Sequence, residues 1–218
     1  MKQMFALLML LLTVTAFAQS EKYVSAMQPK IAMLDTTRNG ATLLDLSNSF
    51  ERIANAEKTQ WLPFYYAALA QANYGYSKIQ GVGMGGDPAV IDPIADKADT
   101  LLSKAEALST LNSEIFVVHK MINSLRMLVD PQSRYMTYGA AAAAALETAK
   151  KLNPDNPRVY LLEGQDKYYT PEQYGGSKDE AKKLFETAAQ KYDTFKPENA
   201  LAPTWGKWAL QYFLGLYK

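Results

Sequence analysis

Residues 149–164 contain a joint between two helices, and this joint restricts the fold more than any other feature of the chain. The helical spacing of apolar residues ends at the sequence Asn-Pro-Asp-Asn, and Asn156-Pro157 then begins a second helix. Asparagine caps the free N–H groups of a helix start, and proline at the first position needs no N–H of its own. Tyr160 and Gly164 share one face of the second helix, where glycine allows a partner helix to approach closely. The stretch predicts two helices that fold back on each other.

Small residues and large apolar residues recur together at helical spacing in other parts of the chain. Helical segments with this spacing include Ala98 to Leu108, Ala181 to Ala188 and Trp205 to Tyr212. Together with the joint at residues 149–164, they resemble the tetratricopeptide repeat (TPR), in which Ala, Leu and Pro close one repeat and an aromatic residue opens the next. The spacing between equivalent alanines exceeds the roughly 34 residues of that repeat, so the resemblance implies divergent repeats with insertions.

The predicted fold is all-α, with about nine helices. Apolar stripes at residues 23–34 and 41–57 form a first antiparallel pair, and Asp92-Pro93 and Asp130-Pro131 are each predicted to begin a helix. Three further pairs follow, and a terminal helix starts at Thr204. The TPR resemblance implies that these pairs stack into a right-handed superhelix with a concave groove.

Residues 1–18 have the three regions of a secretory signal peptide. Lys2 supplies the positive charge, residues 5–14 form an apolar run, and Ala16-Phe17-Ala18 is a cleavage site of small-x-small type. The alternative is a transmembrane anchor, but the run is shorter than the roughly 20 residues that span a bilayer. We therefore predict a periplasmic or secreted protein whose mature domain, residues 19–218, does not insert into a membrane.

Charge and composition argue against several classes of function. The chain has 23 basic and 22 acidic side chains, and removal of Lys2 with the signal peptide leaves the mature domain neutral. A neutral chain gives no indication of nucleic-acid binding. With no cysteine and only His119, the sequence predicts no disulfide, no metal site and no cofactor, and we interpret His119 as a hydrogen-bonded or groove-lining residue. No catalytic motif is recognised in the sequence, so we rank an enzyme below the two binding functions that are described below.

Two glycine-containing segments are predicted to be loops. Residues 81–86 contain G-x-G-x-x-G, but a helix precedes them, whereas a dinucleotide-binding motif requires a preceding strand. Residues 168–177 form an ordered insertion, in which Thr170-Pro171 begins a short turn and Ser177 with Glu180 makes a capping box. This insertion resembles one found in exported bacterial TPR-like proteins.

The leading functional hypothesis is an interaction module that binds a protein or peptide in the concave groove. If Tyr160 takes the opening aromatic position of a repeat, then Arg158, Gln165 and Tyr168 face the groove and contact the partner. The alternative is a small-ligand carrier that uses the tyrosine-rich groove and the loop at residues 81–86.

The C-terminal helix suggests a second contact surface. Trp205 and Trp208 lie three residues apart and are predicted to be buried in the monomer, whereas Phe213 and Leu216 point elsewhere. An uncovered apolar face of a terminal repeat marks a contact, so we predict that Phe213 and Leu216 touch a protein partner or a second copy of the chain. The alternative is a hydrophobic helix that only closes the core.

Overall fold

The computed structural model describes residues 21–79 and 85–218, and all regular structure in these ranges is helical. The helices are α1 (21–36), α2 (Gly40–Glu57), α3 (Trp61–Ile79), α4 (Pro88–Leu108), α5 (Ser113–Val129), α6 (Pro131–Arg134), α7 (Ala140–Leu152), α8 (Pro157–Tyr169), α9 (Lys178–Thr194) and α10 (Lys207–Gly215). A π-helix, Tyr135–Gly139, joins α6 to α7, and a 3-10 turn, Glu172–Tyr174, follows α8. The predicted signal peptide and most of the glycine-rich loop at residues 81–86 lie outside the described residues.

Stacked helix pairs make up the architecture. Each of α2 to α5 packs on the next helix, α7 packs back on α5, and α8 packs on α9. Apart from the one-turn helix α6, the described residues form nine α-helices, so the all-α prediction with about nine helices is confirmed. The TPR register and the right-handed superhelix stay predictions.

Side-chain caps begin most of the helices. The Asn156 side chain accepts a hydrogen bond from the Arg158 backbone N–H at 3.0 Å, as the joint sequence predicts. The Ser177 hydroxyl accepts from the Glu180 N–H at 3.2 Å, which confirms the Ser177 cap. The predicted helix start at Asp92-Pro93 is wrong. An identical Asp-Pro dipeptide five residues earlier, at Asp87, begins α4, so Pro93 lies inside the helix.

Small residues allow the helices to pack closely. Ala149, Ala181 and Ala188 are fully buried. A Cβ atom added to Gly164 would lie 2.6 Å from the Phe185 ring, a distance that real Cβ contacts do not show. The close approach of α8 and α9 therefore requires glycine at this position, as the sequence predicts.

Replacing Ala149, Ala181 or Ala188 with leucine is expected to lower the free energy of unfolding by about 1–3 kcal/mol. The larger side chain overpacks a contact that has no free space. Chemical denaturation of each variant measures the loss. Ala144→Leu is the matched control, because Ala144 is exposed on α7. Equal denaturation midpoints for the buried and exposed variants would contradict this packing.

Candidate functional site

A segment of the chain itself, residues 195–206, covers the face of α3 that carries Tyr65 and Tyr66. We call this segment the strap. The Tyr66 hydroxyl donates a hydrogen bond to the Leu201 carbonyl at 2.8 Å, and Trp205 Nε1 donates to the Tyr65 hydroxyl at 2.8 Å. Leu201 is only 4% exposed and belongs to the main hydrophobic core. An intramolecular segment therefore occupies this face.

Arg158 lies in the same region and is fully buried. Its Nε donates to Glu114 Oε2 at 2.8 Å, and its guanidinium lies 4.9 Å from the centroid of the Phe195 ring in the strap. Burial alone lowers the pKa of Arg158, but the neighbouring Glu114 carboxylate outweighs burial and holds that pKa above its usual value. The prediction that Arg158 faces an open groove is wrong, because the side chain is enclosed in an internal ion pair.

Gln165 and Tyr168 are both half-buried on α8. The Tyr168 ring packs edge-on against Phe213, with ring centroids 5.5 Å apart, and lies 6.3 Å from the Tyr217 ring. Tyr168 is therefore part of an aromatic cluster in the C-terminal region. Contact of Gln165 or Tyr168 with a partner stays a prediction.

The C-terminal helix places its aromatic residues differently from the sequence expectation. Phe213 is 4% exposed and stacks on Phe185 at 4.7 Å, so the prediction that it forms an intermolecular contact is wrong. Trp208 is 58% exposed, which contradicts its predicted burial. The reason is Gly206, whose positive φ of 105° separates Trp205 in the strap from α10. Leu216 directly follows α10 and is exposed, and its role as a contact stays a prediction.

A groove with a volume of about 370 Å³ lies between α7 and α8. We call it the α7–α8 groove. It forms because α7 packs on α5 and α8 packs on α9, so few contacts join the two helices beyond their common turn. Ala143 and Leu146 provide apolar surface, and Tyr135 and Tyr174 line it from the π-helix and the 3-10 turn. The two rings are 60% and 72% exposed.

Gly176 holds the turn that carries Tyr174 close to the end of α8. A Cβ atom at this position would lie 1.7 Å from the Thr170 carbonyl oxygen, so no larger residue fits the turn as built. The Ser177 N–H also donates to the Lys167 carbonyl at 2.9 Å. The insertion at residues 168–177 is therefore ordered, as the sequence predicts. It also forms one wall of the groove, which the sequence does not predict.

Ion pairs surround the groove. Lys150 Nζ on α7 lies 2.8 Å from Glu163 Oε2 on α8, and both residues line the groove. Lys120 Nζ lies 2.6 Å from Oδ1 of the groove residue Asp166, and the Lys120 side chain is only 5% exposed. A third carboxylate of the lining, Glu147, is paired with Lys151 at 2.6 Å. Each carboxylate of the lining therefore has a cationic partner, and the groove combines apolar surface with a charged rim.

Lys167 is the second lysine in the groove, and it has two partners. Its Nζ lies 2.6 Å from Glu180 Oε2 and donates a hydrogen bond to the Gly175 carbonyl at 3.2 Å. The hydrogen bond from Lys167 holds the pKa of Glu180 below its usual range. Lys167 thus links α8 to both α9 and the turn that carries Tyr174.

His119 lies outside the groove lining. Its Nε2 is 3.2 Å from Glu106 Oε2, and its side chain is 22% exposed, so the prediction of a hydrogen-bonded histidine is confirmed. Within residues 21–79 and 85–218, no group of three or more His, Cys, Asp or Glu side chains is placed to hold a metal ion. In the same ranges, no helix combines the length and apolar character needed to cross a membrane.

Comparison with solved structures identifies a relative. The HusA haemophore from Porphyromonas gingivalis superimposes with a TM-score of 0.77 at 35% sequence identity, and the match covers 90% of this chain and 92% of that chain. The chain belongs to the HusA family. No protein-family model and no curated protein matches the sequence. Since HusA is a haemophore, this relationship favours the small-ligand alternative over the peptide-binding module.

Proposed function

We propose that the chain is an exported carrier of haem or a related flat tetrapyrrole, held in the α7–α8 groove. The relationship to the HusA haemophore, over nine-tenths of both chains, carries this proposal. The predicted signal peptide at residues 1–18 agrees with a carrier that acts outside the cytoplasm. A binding protein also fits the sequence, in which we recognise no catalytic motif.

The groove has the surface that a flat aromatic ligand requires. Tyr135 and Tyr174 present largely exposed rings, and aromatic rings pack well against other π-systems in offset or edge-on arrangements. Ala143 has a small side chain, which leaves room for a planar ring beside α7. The volume of about 370 Å³ lies within the range of small-molecule sites, roughly 300–1,000 Å³.

The groove lining limits which residues would coordinate the iron of a bound haem. Protein ligands to haem iron are the side chains of His, Cys, Met or Tyr. Among these types, tyrosine alone occurs in the described groove lining, as Tyr135 and Tyr174. A tyrosine oxygen is therefore the available protein ligand for a ferric ion in this lining, and the tyrosine rings with the apolar surface would contact the macrocycle.

Replacing Tyr135 or Tyr174 with alanine is expected to weaken haem binding about tenfold each. The reason is the loss of a stacking partner and its buried area, which together are worth about 1.4 kcal/mol or more. Titration followed by the haem absorption band and by quenching of tryptophan fluorescence measures the dissociation constant. Parallel titrations with metal-free protoporphyrin separate the ring contribution from the iron contribution.

Tyr212→Ala is the matched control for these titrations. Tyr212 is 53% exposed on α10 and does not line the groove, so its removal is expected to leave haem affinity unchanged. Wild-type affinity in the Tyr135→Ala/Tyr174→Ala double variant would refute the α7–α8 groove as the binding site.

A further inference from the structure

Two lysines face the α7–α8 groove from opposite walls. Lys150 lies on α7 and Lys167 lies on α8, and each is paired with one carboxylate, Glu163 and Glu180 respectively. The four side chains are between 32% and 56% exposed. Ion pairs with this much solvent contact contribute little to stability, so either lysine can change partner at low cost.

We propose that Lys150 and Lys167 form ion pairs with carboxylate groups of the ligand, in place of their ion pairs with Glu163 and Glu180. The groove then selects tetrapyrroles that carry carboxylates over the same rings with neutral ester groups. This inference rests on the proposed function, because it names the ligand class of the same groove.

The surroundings of the two lysines support this exchange. A ligand carboxylate beside the apolar surface of Leu146 is partly shielded from water, and charge-assisted hydrogen bonds are stronger where water is excluded. The displaced carboxylates of Glu163 and Glu180 turn toward solvent, where they need no protein partner. Lys120 takes no part, because its side chain is buried and its partner Asp166 holds it at 2.6 Å.

The test compares haem with haem dimethyl ester, which has the same ring and iron but no free carboxylate. Wild-type protein is expected to bind the ester about 100-fold more weakly, or about tenfold for each lost ion pair. Lys150→Met and Lys167→Met are each expected to weaken binding of the acid about tenfold and to leave binding of the ester unchanged.

Lys97→Met is the matched control variant. Lys97 is ion-paired with Glu51 at 2.7 Å and is 41% exposed, much like Lys150, and neither Lys97 nor Glu51 lines the groove. Its replacement is expected to change neither affinity. Lys167 also donates a hydrogen bond to the Gly175 carbonyl, so its replacement removes a contact that holds this turn. Circular dichroism and a denaturation midpoint therefore test whether Lys167→Met is folded. If it is not folded, Lys150→Met alone decides the result.

The outcomes separate this inference from the proposed function. Equal affinity for acid and ester overturns the inference and leaves the carrier function standing. A preference for the acid that survives both lysine replacements also overturns it, because other cations would then be responsible. Binding of neither compound overturns the proposed function, and the inference with it.

Discussion

Replacing Glu114 with glutamine is expected to lower the free energy of unfolding by about 3–5 kcal/mol, because it leaves Arg158 as an unpaired buried charge. Arg158 is fully buried and its guanidinium cannot lose its proton to relieve the cost. The Glu114 carboxylate also accepts hydrogen bonds from Asn156 at 2.7 Å and from the Tyr65 hydroxyl at 3.1 Å. Denaturation with urea, followed by circular dichroism, measures the change.

The control for this experiment is Glu147→Gln, which makes the same chemical change at an exposed ion pair with Lys151. Its expected effect is small, because water screens an exposed ion pair. If Glu114→Gln cost no more than the control, Arg158 would have to be solvated in the native protein, contrary to its position under the strap.

Replacing Phe185 with alanine is expected to cost a similar amount, about 3–5 kcal/mol. Phe185 is fully buried, stacks on Phe213 at 4.7 Å and fills the space beside Gly164. The cavity left behind removes the contact that holds α8 against α9. Because α8 forms one wall of the groove, ligand affinity is expected to fall as well.

Denaturation midpoints and haem titrations of Phe185→Ala test both parts of this prediction. Tyr212→Ala removes an exposed aromatic ring from the same region, and its expected effect on stability is within about 0.5 kcal/mol. A Phe185→Ala protein with wild-type stability would show that the α8–α9 contact does not depend on this ring.

Local sequence patterns predict the parts of the fold that depend on nearby residues. The caps at Asn156 and Ser177 and the burial of Ala149 follow from a few neighbouring positions, and the structure confirms them. The position of Arg158 does not follow from such patterns, because the strap that encloses it comes almost 40 residues later in the chain. Similarly, the separation of Trp205 from Trp208 depends on one backbone angle at Gly206.

The groove is harder to predict than the helices that form its walls. Tyr135 and Tyr174 lie in segments that the sequence marks only as a helix start and an ordered loop. The groove exists because α7 and α8, which are adjacent in sequence, pack on different partners. Helical periodicity gives the apolar face of each helix but not the helix that it packs against. In the sequence, the aromatic residues next to the helix-breaking dipeptides Thr170-Pro171 and Gly175-Gly176 could have indicated that this loop lines a binding site.

The strap also determines how the chain can unfold. In most repeat proteins each unit contacts only its neighbours, so the ends can open independently of the middle. Here the hydrogen bond from Tyr66 to Leu201 joins positions 135 residues apart, and that from Trp205 to Tyr65 joins positions 140 residues apart. Contacts of such long sequence separation form only after a costly loop closure, which slows folding. Because α3 and the strap share one core, we expect α3 and the strap to lose their structure in the same cooperative transition.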